Sequence, residues 1–188
     1  MFKSILKLIV VAGLVVATAS TALAVDWSVG RYISGNTVKS NPLPAGECTW
    51  LVDGLADRMG WDLIFSRKYG RDACLWYAEN LVTNAKRGTI GYPGDIMVFN
   101  SGLFSSVGHV AYVVGKSTWN GKRAWTVRHA NWKSSTGQKE VYKIDNRRIL
   151  ECTFVEVSPN KVSVLYRSGG RELLASTKYP LLGFLYKK

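Results

Sequence analysis

The sequence predicts one domain of mixed helix and strand behind a short leader, and three observations carry this. The chain has 188 residues, 47% hydrophobic and 20% charged, enough for one hydrophobic core and cramped for two. Apolar residues recur at helical spacing just after Cys48. From His109 onward they alternate with the period of two that marks strands. No longer period recurs, which excludes helical repeat arrays, zippers and collagen-like fibres.

The leader comes first. Lys3 and Lys7 precede an apolar run from Leu8 to Ala17, and Ala22-Leu23-Ala24 supplies an A-x-A cleavage site. That order is the order of a secretory signal peptide, and the run is shorter than the ~20 residues of a spanning helix. The expectation is export, to a periplasm or the medium. Residues 1–24 are the signal, 25–41 a short N-terminal segment and 42–188 the domain. Cleavage would remove Lys3 and Lys7 and take the formal charge from +12 to +10.

Asn41-Pro42-Leu43-Pro44-Ala45-Gly46 is a run of turn formers. A helix follows from Cys48, with Trp50 or Leu51, Leu55 and Met59 on its apolar face and Gly60 as its stop. Cys48 therefore sits at or beside a helix N-terminus. The free amides and the dipole there favour a thiolate and are expected to lower the thiol pKa. The same amides can hold an oxyanion. Glu47 opposes this if it faces the sulfur. Read locally, Cys48 is a nucleophile, a small buried cysteine or a disulfide partner. Farther along, Ala73, Trp76, Tyr77 and Leu81 suggest a second packed helix that carries Cys74.

Ser105 to Gly115 reads as a strand leaving a glycine turn, with His109, Ala111 and Val113 on one face. Trp125 to Trp132 is a second strand, on which His129 and Asn131 share a face. A thiol nucleophile needs an imidazole base and a third polar group to orient it. Cys48, His109 and either His129 or Asn131 supply all three, although a lone strand histidine is commonly just a satisfied or surface residue. Basic, turn-rich Lys133 to Gln138 leads to strand candidates at Lys139–Ile144, Arg148–Val157 and Lys161–Tyr166. Ser168-Gly169-Gly170 is a loop, and Leu173–Ser176 is too short to assign.

Five blocks in order resemble a known family. GECTWLVDGLADRMGWDL (46–63), GRDACLWYAENLVTNAKRG (70–88), YPGDIMVFN (92–100), GHVAYVVG (108–115) and HANW (129–132) are similar to a CHAP domain, a cysteine, histidine-dependent amidohydrolase/peptidase. The closing YPLLGFLYKK (179–188) resembles the aromatic strand that often ends such domains. The resemblance implies a papain-like α+β fold, a helical part carrying the nucleophile packed on an antiparallel β-sheet. It implies Cys48 as nucleophile, His109 as general base, His129 as the residue that orients the base, and Asn131 completing the site. Two positions depart from the family's pattern. Glu47 stands where Gln is usual, and His129 where Glu or Asp is usual; a histidine there is known in the sister NlpC/P60 family. A neutral histidine can orient the base but cannot stabilise the imidazolium as a carboxylate does.

Substrate and partners follow from compartment and charge. Exported CHAP relatives mostly cut peptidoglycan, and a basic chain suits a polyanionic wall. The expected function is a secreted cysteine peptidoglycan hydrolase, either an N-acetylmuramoyl-L-alanine amidase or a stem-peptide or cross-bridge endopeptidase. An inhibitor or immunity protein is a natural partner for an enzyme that can harm its producer. A monomer is expected. Nucleic acid is not expected as a partner, because the basic residues are scattered rather than massed. No cofactor and no metal are expected: there is no C-x-x-C, the chain has 2 histidines, and Arg31 to Gly46 lacks any Asp or Glu for calcium. With Cys48 as nucleophile, Cys74 and Cys152 are left for a disulfide, unless Cys74 is simply a buried helix residue. Two other readings stay open: a catalytically weakened cell-wall binding module of the same fold, and an exported basic protein that binds polyanions.

Overall fold

In the computed structural model the described residues are 31–33, 43–44, 46–68, 70–102, 106–132 and 149–188. The expected signal at 1–24, most of the expected segment at 25–41, and the strand candidate at 139–144 lie outside them.

The helical signal after Cys48 is realised as α1, Cys48–Arg58. Its stop has a clear cause. Gly60 adopts φ +78°, and the Gly60 and Trp61 amides donate to the carbonyls of Asp57 and Ala56 at 2.9 and 2.8 Å. This is a glycine-terminated helix end that satisfies two otherwise orphaned carbonyls. Leu51, Val52, Leu55 and Ala56 form the buried face. Met59, expected on that face, is 70% exposed because it lies past the last helical turn.

The second expected helix shrinks to one turn, α2, Leu75–Ala78, with Cys74 at its N-cap. The remainder of that segment is turn and irregular chain up to Ala85, broken only by an isolated bridge between Val82 and Phe65. The described residues are accordingly mostly antiparallel sheet with little helix, less than the helical part the sequence suggested.

The strands are β1 (Arg31–Ile33), β2 (Ala85–Gly88), β3 (Ile96–Phe99), β4 (His109–Trp119), β5 (Lys122–His129), β6 (Ile149–Ser158), β7 (Lys161–Ser168), β8 (Arg171–Leu174) and β9 (Tyr179–Lys187). They form one sheet in the order β1-β6-β5-β4-β3-β9-β7-β8, with β2 also on β9 and β6 also on β7. β4 and β5 are joined at Asn120-Gly121, both with positive φ (+48° and +75°), the backbone that a tight hairpin turn needs. The late candidates at 148–157 and 161–166 appear as β6 and β7. The stretch left unassigned near 173 contributes β8.

Alternation along β4 divides the core. Val110 and Tyr112 pack with Leu51, Val52 and Leu55 of α1, whereas Ala111 and Val113 pack with Trp125, Val127, Phe154 and Phe184 on the other face. The N-terminal end of β4 thus lies where α1 meets the sheet.

Candidate active site

Cys48 opens α1, as the turn-rich approach and the helical period predict. Its N-cap, Glu47, is extended (φ −77°, ψ 156°) and makes no side-chain cap, so that side chain does not occupy the first-turn amides. The sulfur takes the backbone N–H groups of Val110, Thr49 and Cys48 itself. The first of these belongs to the residue directly after His109, which brings the thiol to the start of β4.

The thiol is nonetheless not activated. Burial pushes the Cys48 pKa up to about 11; the Val110 amide works against this, and the charge of Glu47 reinforces it. The expected lowering by the helix N-terminus loses to desolvation because Cys48 is only 8% exposed.

His109 is reached through Gly108. That glycine has φ +73°, and a Cβ on it would lie 2.6 Å from Cys74 Cβ and 2.7 Å from the Phe99 carbonyl. Only glycine fits so tight an entry. The His109 ring then packs on Phe99 and Trp132, with centroids at 5.6 and 4.7 Å. Burial, and secondarily His129, hold its pKa well below the usual histidine value.

His129 ends β5 and is fully buried. Its Nδ1 is 3.1 Å from His109 Nε2, so the structure brings together the two histidines the sequence singled out. Burial lowers the His129 pKa to about 3. Asn131 does not share its face. β5 stops at His129, Asn131 turns into the left-handed region at φ +51°, and its Nδ2 donates to Glu47 Oε2 at 2.6 Å. Strand alternation fails there because the strand has already ended.

Cys152 is the residue that sequence reasoning misplaced. No disulfide joins it to Cys74: all three cysteines lie outside disulfides and are buried. Cys74 caps α2 beside Gly108, whereas Cys152 of β6 has its Sγ 3.2 Å from His129 Nε2. In register Cys152 faces Val127, which makes it the diagonal neighbour of His129 across β5 and β6. No local signal reveals that pairing. Trp132 was also missed as a site residue, although it stands in the HANW block; it packs on both histidines.

A cleft of about 720 Å³ opens at Cys48, lined by Glu47, Thr49, Lys68, Arg71, Asp72 and Val107 among others. Among the described residues no group of three or more His, Cys, Asp or Glu side chains could hold a metal ion.

The CHAP domain family model matches residues 38–131, half of the chain. The chain belongs to the CHAP family. CHAP domains are in general cysteine, histidine-dependent amidohydrolases or peptidases. The matched segment of this CHAP domain contains Cys48, His109, His129 and Asn131, and stops short of Cys152. No curated protein matches the chain.

Proposed function

We propose that this CHAP protein is an exported cysteine hydrolase that cleaves an amide bond of peptidoglycan, on a papain-like arrangement of α1 against the sheet. The observation that carries the reading is a thiol at a helix start, on a cleft, against the backbone of the strand that His109 opens. His109 takes the Cys48 proton as the sulfur attacks the amide carbonyl. The amides of Cys48 and Thr49, which hold the resting sulfur, pass to the oxyanion once the sulfur is bonded to carbon. The nitrogen leaving group receives the proton from His109, and a thioester is left on Cys48. Water, deprotonated by His109, then releases the acid and regenerates the thiol.

The cleft offers both signs of charge, Lys68 and Arg71 against Glu47 and Asp72. That suits the short stem peptides of a wall polymer, which carry carboxylates and amines close to their amide bonds. The expected mature charge of +10 favours approach to a polyanionic wall, with an attraction that salt screens. A protein of this kind calls for an inhibitor or immunity partner in its producer. The raised Cys48 pKa favours a second reading, a weakened CHAP module that binds wall polymer and turns it over slowly.

A digest of purified sacculi of two chemotypes tests the first reading, with wild type beside Cys48→Ala and mass spectrometry of the products. Free stem peptides or split cross-links from wild type alone are expected. Binding to sacculi without any product would select the second reading.

A further inference from the structure

The site has a fourth member on a strand beyond the family match. Cys152 of β6 reaches His129 Nε2, and His129 in turn reaches His109 Nε2, so three side chains form one continuous chain of hydrogen bonds ending at the base. We propose that Cys152 is a positioning residue for the hydrolase, its sulfur accepting the Nε2–H of His129 and so fixing the tautomer of both histidines. The proposal rests on the thiol–imidazole reading given above.

The argument is a count of protons. Both rings are neutral over the ordinary range, because burial opposes charging them. A neutral imidazole has one donor nitrogen and one acceptor nitrogen. If His129 donates from Nε2 to Cys152, its Nδ1 must accept. His109 then donates from Nε2, and Nδ1 is left as its only basic nitrogen. That is the arrangement a general base requires.

The reverse direction, with the Cys152 thiol donating, would put the His129 proton on Nδ1 and force the His109 proton onto Nδ1 as well. His109 could then no longer accept a proton there. Two facts favour the first direction. An imidazole N–H is a strong donor, whereas a thiol is a weak one. Among the described hydrogen bonds, none offers an acceptor to His109 Nδ1. Among the described residues, the ring neighbours of the histidine pair also leave the choice to Cys152. Phe99, Trp132 and Phe154 contact the rings, and none of them carries a charge.

When His109 takes the thiol proton on Nδ1 it becomes imidazolium, and its Nε2–H bond to His129 becomes charge-assisted. No proton leaves the chain. His129 is polarised toward the soft sulfur, which partly replaces the carboxylate that stands at this position in other members of the family.

The chain has 2 histidines, so a ¹⁵N-histidine spectrum of the full protein reads this directly. In wild type at neutral pH, His129 is expected to be protonated on Nε2 and bare on Nδ1. A His129 proton on Nδ1 would overturn the proposal. Cys152→Val fills the space without an acceptor, and should mix or reverse the tautomers and slow iodoacetamide alkylation of Cys48, followed by peptide mapping, by about tenfold. Cys152→Ser, whose oxygen can take the same hydrogen bond, should keep the tautomers and stay within about threefold of wild type. Cys152→Ala serves where the valine variant does not fold. Unchanged tautomers and unchanged alkylation in a folded Val or Ala variant would sink the idea. Neither readout involves a wall substrate, so this outcome is independent of whether sacculi are cut.

Discussion

Asn131 reaches back from just past the end of β5 to Glu47, Nδ2 to Oε2 at 2.6 Å, and ties the residue before the thiol to the strand that ends in His129. Through this contact a carboxylate is held beside Cys48, where its charge raises the thiol pKa.

Replacing that charge should therefore activate the thiol. Glu47→Gln keeps an oxygen for Asn131 and removes the negative charge. Alkylation of Cys48 at pH 8 is expected to rise by roughly two- to tenfold. An unchanged rate would mean that desolvation alone sets the thiol pKa.

The pH profile of the proposed hydrolysis follows from the two shifts. Cys48 stays protonated up to about 11, and His109 stays neutral until well below 6.5. The resting pair is thus thiol and imidazole rather than thiolate and imidazolium. Turnover on a soluble wall peptide should be flat from near neutrality into the alkaline range, with its acid limb below pH 6.5. An acid limb at or above 6.5 would contradict a buried neutral base.

Stability should respond to acid with a definite sign. His129 has a folded pKa of about 3 against 6.5 unfolded, and His109 shifts the same way. Between those values the unfolded chain binds more protons, so stability is fully present above pH 6.5 and is lost as pH falls toward 3. Asp53 acts oppositely. Burial, then the charge of Asp62, raises its pKa to about 6 from 3.8, so its ionisation costs stability as pH rises through that window. Denaturant midpoints across pH 3 to 7 check both. Asp53→Asn should raise stability at pH 7 by on the order of 1 kcal/mol.

Gly108 is the least replaceable residue at the entrance to β4. In Gly108→Ala a methyl group would meet Cys74 Cβ and the Phe99 carbonyl, in a backbone region that disfavours side chains. A loss of about 2–4 kcal/mol is expected in chemical denaturation. A smaller loss would show that α2 can retreat from β4.

Much of this was legible in the sequence, for identifiable reasons. The helix at Cys48 and the strands at His109 and Trp125 were set by local period and punctuated by Gly60 and Gly108. Residue type and the family resemblance both singled out His109 and His129, but no local period reveals their contact, which joins residues 20 apart. Three features escaped. The raised Cys48 pKa depends on how deeply α1 is buried, which helix position does not reveal. Asn131 escaped because alternation was carried one turn past the end of β5. Cys152 escaped because a count of cysteines suggests pairing, whereas the register of β5 on β6 gives its sulfur to an imidazole.

The place of β9 has a consequence for timing. Residues 179–187 pair with β2, β3 and β7, and β3 in turn carries β4 and His109. Until that segment has docked, β3 has an open edge and Phe184 and Leu185 are missing from the two cores. Contacts between segments so distant in the chain form slowly, after local ones. On the proposed mechanism, His109 is not seated as a base before the end of the sheet arrives, so a nascent or clipped chain would carry Cys48 without its partner.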